Sequence, residues 1–488
     1  MKNDLLKKYV NRRSCDILGL GVSNLPLARL LAEAGISLTV RDKKSPEELG
    51  EDALLLQEKG VRFVSGERCF DSLSGELIFR SPGIRPDLQG IQAAVKAGAE
   101  LTSEIELFLQ LTDAETFAVT GSDGKTTSTT LTGRFLSAEA ARRGEEQVFV
   151  GGNIGEPLLN RLEKIGKADR AVMELSSFQL MTVKRAPTYA AITNISPNHM
   201  DWHKESMDEY LNAKKNIIGK ETKRLVTNAD CPATAAIAAE LLHRKKRGEV
   251  GLPEVYLFSS TRRSFSDLFE DGACEGDRAI YEKDGWIVLS DGASETPLLA
   301  VSDILVPGKH NVENYMTAMG LVCGSVDPSV FSAVAREFRG VEHRLELVRT
   351  LHGVDYYNSS IDSSPTRTAA ALSALHGKDI VIICGGYDKK LSFEPLAEAV
   401  CRSCRAVVLT GATAGKIEAA ILAHPSDRVG SPEIFRASDF TDAVLTAKAM
   451  AKRGGCVLLS PACASFDAFR NFAERGNTFR RIVENFEN

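Results

Sequence analysis

Between Ala118 and Thr130 the chain reads AVTGSDGKTTSTT, a stretch whose residue types could hold a phosphate. A β-rich apolar run ends in glycine, and a lysine and threonines open a helical pattern directly behind it. Such a turn aims several backbone N–H groups and the positive end of a helix dipole at one anion. Lys125 would reach the outer phosphates of a nucleotide, and the Thr126 hydroxyl could hold magnesium. The commonest loop of this kind is G-x-x-x-x-G-K-[ST], whereas here only Ser122 and Asp123 separate Gly121 from Gly124. The Gly-Lys-Thr end carries the contacts, so the shorter loop keeps its chemistry. A glycine-rich surface turn is the competing reading, and the order strand, lysine, hydroxyls, helix speaks against it.

Two further residues have the chemistry of a metal site. Glu174, in ELSSFQL, is a carboxylate at the end of a predicted strand and suits a hard cation. His199, in NHMD, offers an imidazole with Asp201 close enough in sequence to orient it. Taken alone, His199 reads as a structural histidine; its company reverses that preference. A second glycine-rich segment, GLGVSN at Gly19 to Asn24, is an incomplete G-x-G-x-x-G with Asp42 ending the next strand, which by itself suggests a dinucleotide.

The elements that must position these groups alternate between short β-rich runs and longer helical patterns, which predicts parallel sheets with crossover helices. Three blocks separate. Residues 1–104 open with CDILGLG, a strand into a turn, then a helix stopped by Gly35, then SLTVRD. Residues 105–340 run through TFAVT, VFVGGNIG, AVMELSS, YAAITNIS and RLVTNAD, followed by a peripheral hairpin about Asp284-Gly285. Residues 341–488 carry VDYYN, DIVIICGG, RAVVLTG and GCVLLSP. The fold expected is α/β in three domains: a Rossmann-like domain, a central P-loop domain with a mostly parallel sheet, and a second Rossmann-like domain.

Composition narrows the partners. With 43% hydrophobic residues, 26% charged residues and a net charge of -5, the chain has no electrostatic footprint for nucleic acid or an anionic membrane. No segment approaches the roughly 18 apolar residues of a membrane span. A small-molecule partner and a cytoplasmic location are expected. Cys401-x-x-Cys404 lacks a second pair and reads as two thiols on one helix rather than a metal site.

The loop TGSDGKTT resembles the ATP loop of the Mur ligase and folylpolyglutamate synthase superfamily. GGNIG at Gly151, ELSSFQL, NISPNHMDWH, GKHNVENYMTA at Gly308, SPGI at Ser81 and LLSPACASFDAFRNFAERG at Leu458 follow in order. Together they resemble the D-glutamate-adding branch of the Mur ligases over all three blocks. The resemblance implies ATP and two Mg²⁺ ions as cofactors, with UDP-N-acetylmuramoyl-L-alanine and D-glutamate as substrates and a monomer as the working unit. It implies that Gly121, Ser122, Asp123, Gly124, Lys125, Thr126 and Thr127 hold the phosphates, with Asn311 and Asn314 on the adenine. Thr126 and Glu174 would hold one metal, and His199 with a carbamylated Lys214 the other. Arg344 would reach the phosphates from the third domain after closure. Val22, Ser23, Asp42, Ser81, Gly83, Asn153, Ser176 and Gln179 would take the UDP-linked substrate. Ser363, Arg367, Lys389, Ser465 and Phe472 would take D-glutamate.

One segment departs from the family. Where the family has N-D-S-K-A-T-N, this chain has NSSIDSS, so Ser359 replaces an aspartate associated with the ATP ribose, Ile361 a lysine near glutamate, and Ser363 a threonine. Asp362 is expected to recover the first role, and Arg367 the lost positive charge. The activity implied is transfer of the ATP γ-phosphoryl group to a carboxylate, then attack of an amine on the acyl phosphate. Another Mur-type ligase, a folate-directed ligase, a nucleotide-binding paralogue without activity and an NAD-dependent enzyme are the alternatives.

Overall fold

A computed structural model describes residues 2–144, 147–389, 391–424 and 432–487. Among them the strands form three sheets. The first contains β1 (Cys15–Leu18), β2 (Leu38–Asp42), β3 (Arg62–Ser65), β4 (Leu77–Arg80) and β5 (Glu100–Thr102) in the order β3-β2-β1-β4-β5. All of its pairs are parallel, so every strand ends on the same edge. The order reverses between β1 and β4, and loops diverge there to leave a crevice. The turns carrying Gly19 and Ser81 lie at that point.

The second sheet contains β6 (Glu115–Thr120), β7 (Val148–Gly152), β8 (Arg170–Glu174), β9 (Tyr189–Ile192), β10 (Arg224–Asn228), β11 (Glu254–Ser259), β12 (Arg278–Lys283), β13 (Trp286–Ser290) and β14 (Glu295–Ala300). Its order is β14-β13-β12-β11-β10-β9-β6-β8-β7, parallel from β7 to β12. β6 lies between β8 and β9, so the phosphate-type loop, Glu174 and Thr193 leave neighbouring strand ends. The hairpin read at Asp284-Gly285 is present, with φ of 51° and 78° at those residues as a tight two-residue turn requires. Strand β14 extends it at the sheet edge.

The third sheet contains β15 (Glu346–Leu351), β16 (Val354–Asn358), β17 (Ile380–Cys384), β18 (Cys404–Leu409), β19 (Glu433–Arg436) and β20 (Cys456–Leu459), ordered β15-β16-β20-β17-β18-β19. Only β15 runs antiparallel. Its core packs Ile380, Ile382, Val407, Leu409 and Leu458 against the helices on one face. The helix before β18 ends at Ser403, and Cys404 begins the strand. Cys401 and Cys404 therefore do not share a helix: the apolar run from Cys404 is β-rich and pairs with β17.

By compactness the chain divides into two units, residues 1–301 with 312–334, and residues 302–311 with 335–488. The first holds the first two sheets, and the second holds the third sheet.

Candidate active site

The loop after β6 is shaped by crowding. Gly121 has φ +146°, and a Cβ there would meet Thr193 Oγ1 at 1.9 Å. Gly124 has φ +79°, and its Cβ would meet Asn314 Oδ1 at 2.3 Å. Only glycine fits either position, which answers why a short loop keeps both. The loop is pinned from outside by the strand end of β9. Ser122 N donates to Asn194 O, and Asp123 N donates to Asn194 Oδ1 at 2.9 Å. Thr193 Oγ1 donates to Asp123 O at 2.5 Å, while Ser122 Oγ donates to Ser196 O at 2.9 Å.

The helix Lys125–Arg143 starts directly on this loop. Its first residue, Lys125, folds its ammonium back onto the carbonyls of Gly121 and Ser122, at 3.0 Å each. Thr126 Oγ1 donates to Glu174 Oε2 at 2.7 Å, and Asn153 Nδ2 donates to Glu174 Oε1 at 2.7 Å. Both oxygens of one carboxylate are thus oriented by residues from the two flanking elements. Asn153, expected on the path of the nucleotide substrate, sits on this carboxylate. Thr127 is buried behind the loop.

Lys214 is 1% exposed, where an exposed helix lysine would be the default reading. Its Nζ donates to Gly121 O at 2.7 Å and to Thr120 Oγ1 at 3.3 Å, and lies 4.6 Å from the Tyr210 ring centroid. Burial first, and the Lys125 charge second, push this amine down to about 6, so it is mostly neutral at pH 7. A neutral buried amine is nucleophilic.

His199 is exposed on its loop with φ +55°, its ring edge-on to Phe178 at 5.1 Å. Asp201 follows it, exposed on the same loop. The acid-histidine pair forms one turn later. His203, fully buried, has Nδ1 3.1 Å from Glu209 Oε1 and Nε2 3.0 Å from Ser177 Oγ. Desolvation holds its pKa below the usual histidine value. Sequence reasoning stopped at the first histidine of HMDWH, although the second was visible. Ser176 and Gln179 form a reciprocal capping box at the start of the helix Ser177–Leu180. Their side chains position that helix.

At the crevice of the first sheet, Asp42 accepts Leu20 N at 2.8 Å, and Asn24 Nδ2 donates to Leu18 O and Gly19 O. Asn24 therefore ties the turn where a third glycine would leave it bare. Val22 is exposed, Ser23 precedes the helix Asn24–Glu33 without capping it, and the exposed Gly83 follows Ser81 on the facing turn. Asn314 and Asn311 are both buried on the helix Lys309–Val322, and Asn311 Nδ2 donates to Pro307 O.

In the second unit, Lys389 Nζ donates to Ser363 Oγ at 3.1 Å. Its pKa is lowered, first by partial burial and then by the nearby Arg367 and Arg475 charges. Arg475, buried, donates to Ser360 O and Cys463 O and so ties NSSID to SPACAS. Ser360 Oγ in turn donates to Phe472 O, and Ser465 is buried in the same loop. Asp362 accepts from Ser460 Oγ at 2.9 Å and from Ser359, with its pKa raised by burial against the opposing pull of Arg344 and Arg367. The expected glutamate residues and the altered segment are thus one cluster. Arg344 follows His343, whose φ is +61°, and precedes Leu345, whose φ is +43°.

Three family descriptions match in chain order: the Mur ligase MurD-like N-terminal domain over residues 13–103, the Mur ligase middle domain over 119–322, and the Mur ligase glutamate ligase domain over 343–463. UDP-N-acetylmuramoylalanine–D-glutamate ligase of Ruminiclostridium cellulolyticum is 40% identical over 100% of this chain and 99% of its own length. The enzyme of the same name from Acetivibrio thermocellus is 43% identical over 99% of each. The chain belongs to the Mur ligase family. Its fold is also that of solved Mur ligases: the UDP-N-acetylmuramate-alanine ligase of Thermotoga maritima matches over 97% of this chain and 99% of its own, with TM-score 0.53 and 18% identity. A pseudomurein peptide ligase type C from Methanothermus fervidus gives TM-score 0.51 at 17% identity over 97% of this chain and 100% of its own.

The donor set of this Mur ligase fits magnesium. Glu174 and Thr126 supply hard oxygen atoms, and Asn153 orients the carboxylate from behind. Among the described residues no three His, Cys, Asp or Glu side chains cluster as metal ligands. No described helix is long and apolar enough to cross a membrane.

Proposed function

We propose that this chain joins D-glutamate to UDP-N-acetylmuramoyl-L-alanine with consumption of ATP, in peptidoglycan precursor synthesis. The carrying observation is the Thr126–Glu174–Asn153 arrangement beside a glycine-forced phosphate loop, in a chain matching enzymes of that name end to end.

The γ-phosphoryl group passes to the alanyl carboxylate, giving an acyl phosphate and ADP. The D-glutamate amine attacks the acyl carbon, and phosphate leaves as the amide closes. The loop N–H groups and Lys125 hold the phosphates in line for that transfer. Thr126 and Glu174 would hold magnesium, which would supply positive charge to the phosphate oxygens. His199 supports a second ion only with an anionic oxygen beside it. Lys214, neutral at pH 7, adds to carbon dioxide through its nitrogen lone pair and loses a proton, which makes that oxygen ligand. Arg344 keeps the role the family gives it, a cation for the phosphates.

Val22, Ser23, Asp42, Ser81 and Gly83 take the nucleotide end of the substrate, and Ser176 and Gln179 its muramoyl end. Lys389, Arg367, Ser363, Ser465 and Phe472 take D-glutamate, with two cations for two carboxylates. Asn311 and Asn314 take the adenine. The chain works as a cytoplasmic monomer.

Phosphate release from ATP, Mg²⁺ and UDP-N-acetylmuramoyl-L-alanine tests the reading, with D-glutamate present, absent, or replaced by L-glutamate, L-lysine or meso-diaminopimelate. Release with D-glutamate alone is expected. Release with another amino acid reassigns the branch, and none at all rejects the ligase reading.

A further inference from the structure

Arg80 ends β4 and is among the largest fully buried side chains, 1% exposed. Its Nη1 donates to the carbonyls of Ser81, Pro82 and Ile84 at 3.2, 3.0 and 2.6 Å. Its Nη2 donates to Phe178 O at 2.5 Å and Thr182 Oγ1 at 3.4 Å. One guanidinium thus fixes the SPGI turn of the first sheet to the helix Ser177–Leu180 of the second. Both segments belong to the residues assigned above to the UDP-linked substrate.

The charge on this group has no counterpart. Among the described residues no carboxylate reaches Arg80, its Nε is buried without a hydrogen bond, and the neighbouring charge that acts on it is Arg85, which repels it. Burial pulls its pKa down to about 10, still well above neutral pH. A buried unpaired cation is destabilising, and a neutral side chain of similar size would fill the space at lower cost. Carbonyl dipoles soften that penalty without cancelling the net charge. An incoming anion would cancel it.

We propose that Arg80 is a positioning residue for the anionic nucleotide substrate: its fan of hydrogen bonds sets the Ser81–Ile84 turn against the helix bearing Gln179, and its unmatched charge favours the diphosphate and carboxylate of the ligand. This rests on the functional reading above and extends it to a residue that contacts the substrate only through others. Gly19 supports the same geometry, since a Cβ there would meet Ser81 Cβ at 3.2 Å, so turn and crevice are fitted closely.

Initial rates of phosphate release are measured for Arg80→Met, Arg80→Gln and Arg80→Lys with each of the three substrates varied in turn, and thermal unfolding is recorded for each. Loss of a charge-assisted contact set predicts a KM for the nucleotide substrate raised about tenfold or more in the Met and Gln variants. The KM values for ATP and D-glutamate stay within about twofold, and Arg80→Lys, which keeps the charge, falls between. A merely structural arginine lowers the unfolding midpoint and moves the three KM values together or not at all; either pattern overturns the proposal. If Arg80→Met does not fold, Arg80→Lys decides, and an unchanged nucleotide KM there overturns it. If the wild type shows no D-glutamate-dependent release, the functional reading fails by itself. Calorimetric binding of UDP then decides Arg80: weaker binding by Arg80→Gln supports the proposal, and equal binding overturns it.

Discussion

Lys214 Nζ donates to the carbonyl oxygen of Gly121 at 2.7 Å, which places a buried amine directly against the phosphate-type loop. The same loop carbonyl accepts from Lys125, so two lysines meet at one oxygen. Their repulsion and the burial of Lys214 act in the same direction on its proton.

That proton gives a pH-dependent stability. The folded pKa is about 6 against 10.5 for a free lysine. Between these values the unfolded chain binds a proton that the folded chain lacks, so stability rises with pH across this window, and the penalty is fully present below it. Lys214→Met removes the penalty. In carbonate-free buffer its unfolding midpoint should exceed that of the wild type most at and below about pH 6, with the gap closing as pH rises towards 10.5. A gap independent of pH sinks the assignment. The same variant should lose activity by about a hundredfold or more, because methionine cannot become an anionic oxygen ligand.

Asn153 should govern magnesium without touching the nucleotide. It donates to the Glu174 oxygen that Thr126 does not use. Asn153→Ala frees the carboxylate to rotate, and loss of such a supporting contact commonly costs about 10-fold or more in metal affinity. The Mg²⁺ concentration for half-maximal phosphate release should rise by that factor. Unchanged magnesium dependence with a raised KM for the UDP-linked substrate would instead restore Asn153 to the substrate path.

The fold was legible because its signals are local. Strand runs such as TFAVT and AVMEL are mostly apolar, as strands covered on both faces are, and Gly121 after the first marks its loop. The edge strands β15 and β19 were missed: Glu346–Leu351 and Glu433–Arg436 are mixed in polarity and half exposed, so no period marks them. The site was legible where residue type dictates chemistry, as at Lys125, Thr126 and Glu174. It was illegible where burial decides. Nothing in YLNAKKN tells that Lys214 is enclosed while Lys215 reaches Glu240 at the surface. Nothing in FRSPGI tells that Arg80 turns inward.

Gly124 should tolerate no side chain. Its φ of +79° disfavours any other residue, and an added Cβ would meet Asn314 Oδ1 at 2.3 Å. Gly124→Ala should raise the KM for ATP at least about tenfold and lower stability by about 1–2 kcal/mol. Adding Asn314→Ala removes the collision but leaves the backbone strain, so the double variant should recover part of the stability and none of the ATP affinity. Full recovery of both would show that neither the loop conformation nor Asn314 matters to the nucleotide.

Ser177 and the half-buried Glu209 flank the buried His203, whose desolvation disfavours its charged form. Its folded pKa lies below the ordinary histidine value, so the folded chain resists a proton that the unfolded chain accepts, and stability falls as pH drops below about 6.5. His203→Asn keeps one hydrogen bond at most and should cost about 1–3 kcal/mol at pH 7 through the buried Ser177 hydroxyl it leaves unmatched, while Arg85 still holds Glu209. Chemical denaturation at pH 8 and pH 5.5 measures it: the wild type should lose more stability between those values than the variant does. Equal losses would mean that His203 does not titrate with unfolding.

The altered NSSIDSS segment allows a division of labour to be tested. Ser359 Oγ is engaged by Leu345 N, so the position that holds an aspartate elsewhere in the family now serves the backbone beside Arg344. Asp362 is held by Ser460 and Ser359, and both Arg344 and Arg367 act on its charge. Asp362→Ala removes the acceptor and leaves Arg344 without that opposing charge, so the KM for ATP should rise by about tenfold, with that for D-glutamate little changed. Arg367 is exposed and acts on Lys389, which reaches Ser363. Arg367→Ala therefore removes one of two cations facing a dicarboxylate, and the KM for D-glutamate should rise while that for ATP holds. The crossed pattern, with Asp362→Ala weakening D-glutamate and Arg367→Ala weakening ATP, would reverse the two assignments; unchanged constants in both variants would leave Lys389 as the sole cation for the amino acid.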